Sequence, residues 1–177
     1  MYATNYHAPV GELTLASDGE KLLGLWIEGQ KYFGGNLGEL HPKADLDVFV
    51  QGKGWLDRYF AGARPAPCAL PLAPMGSPFR QAVWALLCEI PYGQVVTYGG
   101  LAKDLAQQQG RESMSSQAIG GAVGHNPISI IIPCHRVVGS DGSLTGYAGG
   151  MERKRQLLAH EGVDLDCLFV PKGGTAL

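Results

Sequence analysis

Five prolines between residues 62 and 78 (Pro65, Pro67, Pro71, Pro74 and Pro78) limit what this chain can fold into more than any other feature. Each fixes its own φ, lacks a backbone donor and disfavours helix in the residue before it. The stretch is therefore a linker or wrap-around segment, not a helix or an inner strand. The sequence changes character on either side of it. The expected organisation is a first domain over 1–75, a second over 76–165 and a C-terminal tail over 166–177, ending in a loose run from Pro171 to Leu177. With 177 residues, 45% of them hydrophobic and 17% charged, the chain can bury a core in both parts.

The first part reads as α/β, a small sheet plus a helix. Residues 1–6 and 11–16 are short strand-like segments broken by Pro9 and Gly11, and 21–27 follows the Ser17-Asp18-Gly19 turn as a third strand. Val48, Phe49, Leu56, Tyr59 and Phe60 recur at near-helical spacing, which predicts a helix ending near residue 61. The second part reads as mainly helical. Ser77 caps a helix with Pro78 at its first position, and Phe79, Val83, Trp84, Leu87 and Cys88 share its apolar face. Thr97 caps a second helix through Tyr98, Leu101, Ala102 and Leu105. After a polar loop, Ser115 or Ser116 starts a third through Ala118, Ile119, Ala122 and Val123. This is the outline of a helix-turn-helix.

A net charge of −2 excludes a broadly basic surface, so any nucleic-acid contact must be a local patch. Cys68, Cys88, Cys134 and Cys167 show no C-x-x-C spacing, and no Cys or His pair has a zinc-ligand spacing. Free thiols and no metal are expected. The chain lacks an apolar run of about 18 residues and a signal-like start, which predicts a cytoplasmic protein without a membrane partner. The segment with the look of a site is 126–150. Apolar runs at 128–132 and 137–138 flank Pro133-Cys134-His135-Arg136, where His135 and Arg136 are neighbours that favour the nucleophilic thiolate of Cys134. In an extended segment successive side chains point oppositely, so chemistry between Cys134 and His135 calls for a turn or a bridging water. The plain alternative is a buried cysteine in a strand.

Pro133-Cys134-His135-Arg136-Val137, preceded by Ile130-Ile131-Ile132 and followed by Gly146-Tyr147, resembles the active-site signature of the O6-alkylguanine-DNA alkyltransferases, in their short bacterial form. The resemblance spans essentially the whole chain and is closest from about Phe79 to Gly162. It implies a ribonuclease-H-like α/β domain followed by a winged-helix-like DNA-binding domain with a helix-turn-helix. It also implies repair by direct reversal: one irreversible transfer of the alkyl group of O6-alkylguanine, with O4-alkylthymine as a second candidate, to Cys134. No cofactor is implied. By the same resemblance His135 takes the thiol proton through a water, Glu161 orients His135, and Tyr98 helps rotate the nucleotide and protonates guanine N3. Asn126 stitches the recognition helix to the cysteine loop. Tyr147 and Ala148 close over the extruded base, and Arg136 is grouped with the lesion-side residues while holding the loop by hydrogen bonds to carbonyls.

Gln117 stands where many members place an arginine that fills the gap left by the flipped base. Ala118 and Gly121, with Gly120 and Ala122, keep the recognition helix slim for the minor groove. Ser129 replaces a proline of some members and predicts a roomier pocket, and Arg111 reads as a solvated loop charge, with a phosphate contact as the alternative. The implied partner is double-stranded DNA carrying an alkylated guanine, bound by a monomer. A non-enzymatic lesion-binding relative, a helix-turn-helix regulator and a cysteine hydrolase are the competing readings. The acceptor-like Cys134 argues against the first of them.

Overall fold

The computed structural model describes residues 1–171. Two compact units divide the chain: Met1–Met75 together with Pro127–Ile131, and Gly76–Asn126 together with the chain from Ile132 onward.

In the first unit, β1 (Tyr2–Ala8), β2 (Gly11–Ser17) and β3 (Leu22–Ile27) form an antiparallel meander. A two-residue strand, β4 (His41–Pro42), adds to β1 in parallel, giving the order β3-β2-β1-β4. α1 (Asp47–Phe60) carries Val48, Phe49, Trp55, Leu56 and Tyr59 into the core beside Leu13, Leu15, Leu25 and Ile27. All six residues of β3 are buried, although the strand ends the ordered ladder. An edge strand needs cover for its unpaired backbone groups, and two segments supply it. The proline-rich stretch bonds on both sides of Leu22, with Leu22 N donating to Pro71 O and Ala73 N donating to Leu22 O, each at 2.9 Å. Further along, Leu25 N donates to Pro127 O and Ser129 N donates to Leu25 O, each at 2.8 Å, so that Ile128 pairs in parallel with Leu25. The wrap-around nature of the proline stretch is thus a matter of covering β3. An unbroken second domain over 76–165 left no place for the return of 127–131 to the first unit. That return is driven by the apolar Ile128, which is fully buried on the strand edge.

In the second unit three of the helices begin where short polar side chains cap them. Ser77 accepts from Arg80 N at the start of α2 (Pro78–Glu89), Thr97 from Gly100 N at α3 (Tyr98–Gln108), and Ser115 from Ala118 N at α4 (Ser116–Gly124). The core joins Val83, Trp84, Leu87, Leu101, Leu105, Ile119 and Val123, and Trp84 Nε1 donates to Ala122 O at 2.9 Å. Cys88 is half-buried, not a core residue, and no disulfide joins the cysteines among the described residues. β5 (Val96–Thr97) pairs in parallel with β6 (Val137–Val138), which sets the start of α3 beside the segment containing Cys134. α5 (Met151–His160) closes the unit.

The chain beyond 166 is tied down further than a loose tail. Leu144 N donates to Phe169 O and Phe169 N to Gly142 O, at 2.9 and 3.2 Å, while Leu165 and Leu168 pack on Val138, Leu144 and Leu158. Burial of two leucines is the physical reason. Residues 172–177, the rest of the expected tail, lie outside the described residues. No described helix is long and apolar enough to cross a membrane.

Gly24 marks the tightest point of the first core. A Cβ added there would lie 2.0 Å from the ring of Trp26, which is 1% exposed and has nowhere to swing. Gly24→Ala is expected to lower the unfolding free energy by about 1–3 kcal/mol through overpacking. Urea denaturation checks it: a lower midpoint at constant slope is the predicted result, and an unchanged midpoint contradicts it.

Candidate active site

The backbone leading to Cys134 is a chain of tight turns, not a strand. Ile131 N bonds Ser129 O at 2.8 Å around Ile130, whose φ is 71°. This is the uncommon sense of γ-turn, and for a β-branched residue it stores on the order of 1–3 kcal/mol of strain. Cys134 N then bonds Ile132 O at 2.8 Å around Pro133, at φ −82° and ψ 63°, an inverse γ-turn that the proline ring favours. Cys134-His135-Arg136 continues as a 3-10 turn. Cys134 and His135 are 4% and 0% exposed. Asn126, just past α4, donates from Nδ2 to Ile132 O at 2.8 Å and to Cys134 Sγ at 3.1 Å, tying the helix end to the cysteine turn.

Glu161, at the C-terminal end of α5, gathers the next group. Its Oε1 accepts from His135 Nε2 at 2.7 Å and Arg136 Nη2 at 3.0 Å. Its Oε2 accepts from Arg136 Nε at 2.8 Å and Gly93 N at 3.1 Å. The third arm of Arg136 donates to Ile90 O, with the Tyr92 ring 5.7 Å from the guanidinium, and Tyr92 OH donates to His160 O. Gly93 has φ 75°, and a Cβ there would lie 2.9 Å from Glu161 O, so the Pro91-Tyr92-Gly93 turn can close on α5 only with glycine.

Burial alone would raise the Glu161 carboxyl, but the His135 and Arg136 contacts outweigh it and hold the group well below the usual carboxylate range. An ionised Glu161 has no proton to give, so His135 Nε2 carries the hydrogen of their bond. Burial pulls the His135 pKa below its ordinary value against the opposing pull of Glu161, which leaves the ring neutral at pH 7. Its Nδ1 is then a bare acceptor, and it has no partner among the described residues. Arg136 does not serve as the cation that favours the Cys134 thiolate. It is 7% exposed and its charge is spent on Glu161.

That cation is Lys154, which the sequence reading missed. The side chain is 0% exposed and Nζ donates to Val137 O and to Thr145 O, the latter at 2.8 Å. Burial draws its pKa down to about 8, with the Cys134 charge acting the other way. Burial pushes the Cys134 thiol up, while the Asn126 N–H and the Lys154 charge pull it back. The sulfur therefore rests as a thiol. A signal for Lys154 does exist in the sequence: it precedes Leu157 and Leu158 by three and four residues, which places it on their face of the helix. Arg153 and Arg155 on either side disguise it as part of a solvated charge run.

Tyr98, the first residue of α3, donates from its hydroxyl to Thr145 O at 2.9 Å. Burial raises its pKa, with the Cys134 charge adding, so the phenol stays protonated. A Cβ on Gly146, at φ 77°, would stand 2.2 Å from the Tyr98 hydroxyl oxygen, which makes glycine obligatory there. Tyr147 is 5% exposed, with its hydroxyl unpartnered among the described residues, and Ala148 is half-buried beside it. A cavity of about 360 Å³ is lined by Tyr98, Gln117, Gly120, Ser140, Thr145 and Gly146 among others.

At the start of α4, Gln117 and Ala118 are exposed and Gly121 is half-buried. Gly120 and Ala122 are buried, with Gly120 lining the cavity beside Gln117. Ser129, expected to widen the lesion pocket, does not line this cavity. It is buried in the first unit and donates to Gln30 Oε1 at 3.1 Å. Arg111 is exposed in the loop after α3.

Residues 78–163 match the family model of the 6-O-methylguanine DNA methyltransferase DNA-binding domain, and residues 1–74 match that of its ribonuclease-like domain. The chain is 42% identical to a methylated-DNA–protein-cysteine methyltransferase of Haemophilus influenzae, over 98% of this chain and 90% of the relative. A Methanosarcina acetivorans protein of the same name is 38% identical over 92% of this chain and 99% of its own. Among solved structures, Mycobacterium tuberculosis OGT in complex with DNA aligns with a TM-score of 0.77 at 38% identity, over 91% of this chain and 92% of that one.

The depressed Glu161 pKa has a direct consequence for acid stability. A carboxylate whose folded pKa lies below its unfolded value of about 4.3 contributes stability that is complete above that value and is lost as pH falls toward the folded pKa. Glu161→Gln removes this dependence and leaves Arg136 buried without its counter-charge, at a cost of about 3–5 kcal/mol at neutral pH. Urea denaturation at pH 7, 5 and 3 is expected to show a less stable variant whose stability changes less between pH 5 and 3 than that of the unaltered protein. Parallel curves contradict the assignment.

Proposed function

The chain belongs to the 6-O-methylguanine DNA methyltransferase family and is a DNA-repair protein acting by direct reversal, and on that premise we propose that Cys134 accepts the alkyl group of O6-alkylguanine in one irreversible turnover. The observation that carries this reading is the tautomer that Glu161 imposes: it leaves His135 Nδ1 as a neutral base on the same 3-10 turn as a protonated, buried Cys134.

In the proposed step His135 Nδ1 takes the thiol proton through a water, and Lys154 and Asn126 stabilise the thiolate as it forms. The sulfur attacks the alkyl carbon in line. The S–C bond forms as the C–O6 bond breaks, and the electron pair of that bond passes to the guanine. Tyr98 supplies a proton at N3 and recovers one from the His135 imidazolium, so the net change is thiol plus alkylguanine to thioether plus guanine. Both helpers end in their starting forms. A phenol with a raised pKa is suited to this, because it gives up its proton only where charge develops on the base.

The lesion atom is inaccessible inside a duplex, so the nucleotide is flipped out, with the Tyr98–Gly146 cavity as its receiving space. Gln117, exposed at the start of α4, fills the gap opposite the orphaned cytosine by hydrogen bonding without adding charge. Ala118 and Gly121 allow close approach in the minor groove, which suits a chain of net charge −2. Tyr147 and Ala148 close over the base. The protein acts in this reading as a cytoplasmic monomer.

Intact-protein mass after incubation with duplex DNA bearing one O6-methylguanine tests the proposal, alongside Cys134→Ser. The expected result is a gain of one methyl per protein, mapped to Cys134, absent in the variant and ceasing after one equivalent. Tight lesion binding without any gain in mass contradicts it and makes the chain a lesion-binding protein.

A further inference from the structure

Gln30, just beyond β3, is a buried glutamine at 5% exposure whose oxygen does two jobs. Oε1 accepts from Ile27 N at 2.8 Å and from the Ser129 hydroxyl at 3.1 Å. The Ile27 N–H can only donate, so the oxygen end of the amide is fixed there and Nε2 is left without a partner among the described residues. An unpaired buried donor is costly, and its retention calls for a physical reason. The reason lies in what the oxygen joins. Ser129 is the last residue of 127–131 to pair with β3. The next residue, Ile130, turns away at φ 71°, and Ile131 N bonds back to Ser129 O. Leu25 bonds this segment to β3 on both sides of Ile128, through Pro127 O and Ser129 N. A positive-φ turn at a β-branched residue persists only where its surroundings over-determine it. From that turn the chain runs directly into the Ile132–Cys134 turn.

We infer that Gln30 is a positioning residue for alkyl transfer: its Oε1 locks Ser129 onto β3, and so sets the Ile130 turn through which the chain enters the cysteine turn. The inference rests on the reading of Cys134 as acceptor. It assigns Gln30 and Ser129 no contact with the lesion.

Three variants test it. Gln30→Met keeps the bulk and removes the acceptor. Gln30→Glu keeps an oxygen for both donors and removes the unpaired N–H. Ser129→Ala deletes one bond and is the variant least disruptive to folding. Each is measured for the single-turnover rate constant at saturating protein on an O6-methylguanine duplex, for affinity to the undamaged duplex, for thermal midpoint, and for the rate of Cys134 labelling by iodoacetamide. Misplacement of a reacting group predicts that Gln30→Met slows transfer by about tenfold or more, that Ser129→Ala slows it less, and that Gln30→Glu recovers most of the rate, all with unchanged DNA affinity.

A purely structural role would lower the thermal midpoints and leave the rate constant of the folded protein untouched, and that result overturns the inference. So does a Ser129→Ala protein that transfers at the unaltered rate, which also decides the matter if Gln30→Met does not fold. Should the unaltered protein transfer no methyl group, the reading of Cys134 falls. The iodoacetamide rate then still decides: identical labelling in the unaltered and variant proteins overturns the lock, and a changed rate upholds it.

Discussion

One buried carboxylate organises the chemistry of the second unit. Glu161 accepts hydrogen bonds from His135, from two nitrogens of Arg136 and from the backbone of Gly93. The His135 and Arg136 contacts together keep the carboxylate ionised despite its burial. Everything nearby is conditioned by that. The imidazole must present its hydrogen to Glu161 and its lone pair away from it, which is the base-and-orienter arrangement of a nucleophilic site. Arg136 is consumed as a structural counter-charge. The Pro91-Tyr92-Gly93 turn is drawn onto the end of α5, so a group of residues far apart in sequence is fixed by one acceptor.

With Arg136 committed, the cation acting on the sulfur is Lys154, held by two carbonyl oxygens and, among the described residues, by no carboxylate. In the proposed transfer an ammonium group so placed stabilises the thiolate as it forms, which is where electrostatic preorganisation accelerates chemistry. Thr145 O links this group to Tyr98, because it accepts from both Lys154 and Tyr98. Gly146 must then be glycine for Tyr98 to lie against it. The backbone contributes through tight turns at Ile130, Pro133 and Cys134, which replace the extended run that the apolar pattern suggests.

What could be read from the sequence was local. Ser77, Thr97 and Ser115 cap the helices that their positions announce, because a cap depends on residues two or three places away. The meander and α1 follow from turn residues and helical spacing within a few residues. What stayed hidden was set by distant partners. Ile128 pairs with Leu25 across most of the chain, and the hydrophobic run around it reads equally well as a strand of its own domain. Nothing in the Glu-Arg-Lys-Arg run separates Lys154 from its neighbours except the face it shares with Leu157 and Leu158. The direction taken by Arg136 depends on Glu161, 25 residues on, and Glu161 stood out only through the family resemblance. Ser129 was read as pocket lining because its partner, Gln30, lies 99 residues away.

The central claim is that Glu161 fixes the protonation of His135, and side-chain nitrogen NMR of isotope-labelled histidine tests it most directly. The account predicts that at pH 7 His135 is neutral, with its proton on Nε2 and a bare Nδ1. It further predicts that Glu161→Gln releases this preference. A His135 protonated on Nδ1, or on both nitrogens, at that pH would contradict the account.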